Sequence, residues 1–197
     1  MYAGLFPTPT LLRVLPDRAA CRFGIAGAWV TIAGIVVSGP IGLAVVSIVQ
    51  RPSEWTNADA FVRDFHPVQA IPFFGGFALI VGCLMVMSAI FSVANPSQRP
   101  RATASIIATA GFVALILFNY VCQTTFIPAL VRARDPSLGP IISTFSLQNP
   151  RSIAWAIEMW GYACLGAATW FAAVVFDQTR VEQAVSQSPP HLDRGAH

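Results

Sequence analysis

A chain of 197 residues, 55% of them hydrophobic and only 11% charged, has too little polar surface to fold in water, where domains carry about 25% charged residues. Its mean hydropathy of +0.61 places it among integral membrane proteins. The net charge of +3 is too small and too scattered to bind nucleic acid. All 12 basic residues are arginine, which points to a GC-rich bacterial coding sequence and hence to a bacterial inner membrane.

Residues 1–22 form a Pro-rich basic segment, with Arg13, Arg18 and Arg22 set against Asp17. Leu11, Leu12, Val14 and Leu15 suit the membrane surface. The apolar run that follows is too long for the core of a signal peptide and has no clear cleavage site.

The expected fold is an all-α, up-down-up-down bundle of four transmembrane helices, with spans at about 23–50, 68–94, 102–131 and 150–176. The first is longer than the bilayer core needs and should tilt, or bend at Ser38-Gly39-Pro40. Gly27, Thr31, Gly34 and Ser38 form a small-residue stripe along it. The connection from Arg51 to Pro67 contains Asn57, a helix N-cap signal, followed by Phe61, Val62 and Phe65 on one side of a short interfacial helix. The second span carries Gly75, Ala78, Gly82 and Ala89 and stops at Asn95-Pro96. The third turns polar at Asn119, Tyr120, Gln123, Thr124 and Thr125, and Pro128 closes it. In the second long connection, Ile141 to Leu147 is amphiphilic. Asn149-Pro150 then reads as cap and first turn of the fourth span. The tail, 177–197, is polar and partly disordered in expectation.

The termini and the turn at 97–101 are richer in arginine than the two long connections, which favours both ends in the cytoplasm. Each long connection holds Arg-Pro-Ser or Arg-Asp-Pro-Ser near its start and ends at a proline, a trace of internal repetition.

Glu158 is the one formal charge in the interior of these runs. A carboxylate in hydrocarbon costs on the order of 2.5–3.5 kcal/mol and needs a partner or a polar cavity. Counting depth from the connection shared by the third and fourth spans sets Asn119 and Gln123 level with Glu158 and Tyr162, roughly 12 Å from the outer end. The amides and the Tyr162 phenol can donate to the carboxylate. Ala154, Ile157, Gly161, Cys164 and Ala168 form a packing seam beside it. His66, with Trp55, is the further candidate at the outer mouth.

Two interpretations of Glu158 compete. In the first it is an inter-helix hydrogen bond in a non-catalytic accessory, scaffold or apolar-ligand-binding membrane protein, partnered by lipid, another membrane protein or a second copy of itself. In the second it is the working acid of a membrane enzyme or proton-coupled carrier. No catalytic residue can be named. Cys21, Cys83, Cys122 and Cys164 form no C-x-x-C pair, and paired membrane histidines for haem are lacking. No metal or cofactor is therefore expected.

Overall fold

The computed structural model describes residues 18–50 and 54–186, with side chains to residue 173. The apolar residues between Leu11 and Leu15, the Arg51-Pro52-Ser53 stretch and the tail past 186 lie outside the described residues. Every regular element among the described residues is helical. The helices are α1 (Arg18–Val49), α2 (Ala58–Asp64), α3 (Pro67–Val93), α4 (Arg99–Ala133), α5 (Gly139–Phe145) and α6 (Ile153–Ser186). Of these, α1, α3 and α4 are long and apolar enough to cross a membrane.

Long helices that follow one another in sequence pack side by side: α1 on α3, α3 on α4, α4 on α6. Each pair is antiparallel. Gly24 meets Ala89 while Gly42 meets Pro72. Gly76 meets Tyr120 while Met87 meets Ser105. Ser105 bonds Ala168 while Asn119 bonds Ala154. α1 rests chiefly on α3, and its outer face keeps Ile25, Trp29 and Ile48 exposed.

The α1–α3 seam holds Gly27 and Gly34 opposite Gly75 and Gly82. A Cβ on Gly27 would lie 2.6 Å from the Met85 Cβ, one on Gly34 2.8 Å from the Leu79 Cα, and one on Gly75 2.9 Å from the Val37 carbonyl carbon. Carbon atoms rest about 3.5–4.0 Å apart, so the two backbones touch only because these side chains are missing.

Pro40 neither breaks nor ends α1. A π turn at Val37–Ile41 absorbs it, with the Gly42 N–H reaching back to Val37 O. Pro128 likewise fails to close α4. A second π turn, Cys122–Phe126, precedes it, with the Ile127 N–H on Cys122 O. The Thr124 and Thr125 hydroxyls donate to Tyr120 O at 2.8 Å and Val121 O at 2.6 Å, which occupies carbonyls near the irregular turn. The helix then runs to Ala133 and ends on Arg134 in the left-handed region.

Three other helix ends differ from expectation. α1 already includes Arg18–Arg22, inside the segment read as an N-terminal basic stretch. α6 continues to Ser186 because Gln, Arg, Glu and Ala follow the apolar run and no proline intervenes. Its cap is Ser152, whose Oγ accepts from Trp155 N at 3.0 Å. Asn149 instead closes the preceding turn by accepting from Arg151 N.

The two halves share a plan: a long helix with a proline-associated π turn, a helix of 7 residues, and a long return helix. Asn57 caps α2 through Ala60 N at 2.8 Å. Phe61 of α2, Ile127 and Val131 of α4 and Ile142 of α5 form one buried cluster, with Trp55 and Phe65 against it. This apolar pad holds α2 and α5 over one end of the long helices. Below it, Leu79, Ile80 and Cys83 of α3 meet Phe112, Ile116 and Tyr120 of α4.

Candidate functional site

Glu158 is 7% exposed, on the α6 face turned to α4. Two neighbouring α4 residues serve its two oxygens. Asn119 Nδ2 donates to Oε2 at 2.8 Å. The Tyr120 hydroxyl donates to Oε1 at 3.0 Å. Asn119 Nδ2 also donates to Ala154 O, one turn earlier on α6, at 3.1 Å. Both hydrogens of one amide are thus spent on one helix. The Tyr120 and Tyr162 hydroxyl oxygens are 3.2 Å apart. Since Tyr120 gives its proton to Glu158, Tyr162 is the donor in that pair. The chain Tyr162 → Tyr120 → Glu158 therefore points one way, and such chains reinforce each bond in them.

Close packing fixes Tyr120. Its ring lies 5.2 Å from Phe73 and 6.1 Å from Phe77, centroid to centroid. A Cβ on Gly76 would stand 2.7 Å from its Cδ2, so this glycine makes the ring's seat. On α6, a Cβ on Gly161 would stand 2.7 Å from Ile116 Cγ1. Ala154 and Ala168 are 1% and 0% exposed, and Cys164 lies beside Gly111. These small residues let α6 lie close enough for a side chain as short as asparagine to span both helices. Trp155, Trp160 and Trp170 point off this seam and are exposed.

The expected constellation is partly rearranged. Asn119 meets Glu158. Tyr162 does not; it reaches the carboxylate through Tyr120 and is 39% exposed. Gln123 turns the other way. Its Nε2 donates to Phe145 O at 2.8 Å and its Oε1 accepts from Leu147 N at 3.1 Å. A longer 3.4 Å contact links its Nε2 to Asn119 Oδ1. Gln123 thus ties the end of α5 to α4. His66 is exposed, and its Nδ1 accepts from Val68 N at 3.2 Å, which caps the start of α3 and leaves it out of the cluster. Tyr120 is the member that sequence reasoning missed. Pairing by fours finds one flank of a carboxylate, and the residue next to Asn119 serves the other.

Two openings lie near the capped end. A small cavity of about 40 Å³, beside Gln123, Gln69 and Gln148, is lined in part by Ser146, whose buried Oγ has no hydrogen-bond partner. A cleft of about 410 Å³ separates α2 from the α4–α5 connection. Neither opening is lined by Glu158. Among the described residues no three of His, Cys, Asp or Glu come together to hold a metal.

Comparison with protein-family models, curated proteins and solved structures finds no significant match.

Proposed function

We propose that this chain is a multi-pass membrane protein of four spans, α1, α3, α4 and α6, running up-down-up-down. In this view it serves as a non-catalytic accessory or scaffold subunit of a bacterial inner membrane, with both termini in the cytoplasm. The observation that carries this reading is the state of Glu158. Both oxygens are taken by internal donors and its exposure is 7%. A general base or carrier acid needs a free oxygen facing a cavity with other polar groups. A structural acid needs what Glu158 has, a donor on each oxygen and no path for lipid.

The apolar surface supports the same conclusion. α1 uses one face on α3 and leaves Trp29 67% and Ile48 84% exposed. α6 leaves Trp160 70% and Trp170 72% exposed. Such faces suit acyl chains, an apolar ligand, a partner helix or a second copy of the chain.

The experiment is Glu158→Gln, assayed by membrane extraction, helix content and the proteins that co-purify in mild detergent. Glutamine keeps an acceptor for Asn119, and the Tyr120 hydroxyl can turn to accept from its amide. The variant should therefore stay in the membrane, folded, with its partners unchanged. One specific observation favours the alternative, an enzyme or proton-coupled carrier: the part-exposed Tyr162 gives the carboxylate a hydrogen-bonded route outward. Loss of transport or turnover in a folded Glu158→Gln protein would decide for that alternative.

A further inference from the structure

The cleft of about 410 Å³ stands apart from the Glu158 cluster and has the size of a small-molecule site, about 300–1,000 Å³. Asp59 and Arg63, one helical turn apart on α2, line one side; Arg134 and Asp135, at the end of α4, line another. Val62 and Leu130, both half-buried, supply apolar surface between them. The cleft therefore offers two cations, two anions and a greasy floor.

These charges are not spent on one another. The one ion pair among the described residues is Arg63 Nε to its neighbour Asp64 at 3.2 Å, which leaves the rest of that guanidinium in water, 73% exposed. Asp59 and the Arg134 guanidinium have no partner among the described residues. Arg134 also occupies a left-handed cap position with φ 51°, where glycine or asparagine is the ordinary choice. Asp135 accepts from Ser137 N at 2.9 Å. The Ser137 side chain first, and then that backbone bond, hold its carboxyl below the usual range, so it is an anion at neutral pH.

We infer that this cleft binds the headgroup of a phospholipid carrying a phosphodiester and a primary ammonium, as in phosphatidylethanolamine. The two arginines take the phosphate and the two aspartates take the ammonium. Guanidinium groups meet phosphate oxygens with paired, charge-assisted hydrogen bonds, and carboxylates accept from the three ammonium hydrogens. An anionic headgroup lacking the ammonium would leave both aspartates facing like charge. A quaternary choline has no hydrogens to give them and favours aromatic walls, and no aromatic side chain lines the cleft. Leu130 belongs to α4, one of the long apolar helices, so the lipid's glycerol and first methylenes would meet that helix at the cleft. This inference rests on the membrane placement above but not on the role of Glu158, so either can fail alone.

The test is retention of lipid by the full chain in mild detergent, read by native mass spectrometry with chain-matched phosphatidylethanolamine, phosphatidylcholine and phosphatidylglycerol. Helix content is checked for every variant. Wild type should hold phosphatidylethanolamine about tenfold better than either rival, since one charged hydrogen bond is worth about that factor. The double variant Arg63→Gln, Arg134→Gln should lose that retention. Asp59→Asn, Asp135→Asn should lose the preference over phosphatidylglycerol. Equal retention of the three lipids, or unchanged retention in the folded arginine variant, would overturn the assignment. Soluble glycerophosphoethanolamine supplies the same headgroup without acyl chains. Failure to displace the lipid at equal concentration supports a lipid ligand; displacement would overturn it in favour of a soluble one.

Discussion

Asn119 on α4 donates from one amide nitrogen to two successive turns of α6, to Ala154 O at 3.1 Å and to Glu158 Oε2 at 2.8 Å. A side chain that short reaches two turns of a neighbouring helix only where the backbones lie close. Gly161 and Ala154 permit that approach. The polar contact and the small-residue seam are therefore one device. Neither works without the other.

Asn119→Leu keeps the volume and leaves Glu158 Oε2 without its donor, while the Ala154 carbonyl keeps its intrahelical bond from the Glu158 N–H. Unpaired buried acceptors cost about 1–3 kcal/mol, and bonds between membrane helices measure toward the lower part of such ranges. Reversible unfolding in mixed detergent should show a loss of about 2 kcal/mol.

Tyr120→Phe keeps the ring against Phe73, Phe77 and Gly76 and removes only the hydroxyl. It should cost about 1 kcal/mol. Tyr162→Phe should cost less, because its hydroxyl is the outer donor of the chain and part of it meets the surroundings. The double variant should lose less than the sum of the two single losses, since Tyr120→Phe already removes the partner of Tyr162.

Gly75→Ala places a methyl carbon against the α1 backbone at Val37 and Ser38. Backbone cannot give way as a side-chain tip can, so overpacking should cost about 1–3 kcal/mol. Gly166→Ala, on an open face with nothing within 4 Å, is the control. It should be neutral or stabilise by up to about 1 kcal/mol, because alanine is the better helix former. Thermal unfolding of the two variants side by side separates seam from surface.

The Asp135–Ser137 turn should respond to pH with a defined sign. The folded carboxyl sits below its ordinary value because Ser137 donates to it. Its contribution is complete above the ordinary carboxyl range and fades as pH falls through the lowered folded value. Hydrogen exchange at the Ser137 amide should therefore be slow at neutral pH relative to its intrinsic rate and lose protection in acid. Asp135→Ala should show low protection at every pH.

Much of this architecture is legible in the residues. Apolar runs mark the long helices, Asn57 marks the start of α2, and depth counted from a shared loop brings Asn119 to Glu158. The parts that escape have physical reasons. Pro40 and Pro128 read as a bend and a stop, yet π turns absorb both, and no hydropathy pattern announces a π turn. Gln123 lies within one of those turns, where spacing by fours no longer fixes a face, and it serves α5 instead of Glu158. Tyr120 stands beside the polar pair it completes, and its seat depends on Gly76 of a different helix. The polar end of α6 is built from good helix formers, Gln, Arg, Glu and Ala, which a search for apolar runs passes over.

Donors on α4 hold Glu158 shut. A double-mutant cycle between Asn119→Leu and Glu158→Leu, followed by reversible unfolding in mixed detergent, measures that directly. The sealed carboxylate predicts a coupling of about 1 kcal/mol or more, with Glu158→Leu alone leaving the protein folded. Strictly additive losses, with no coupling between the two positions, would contradict it.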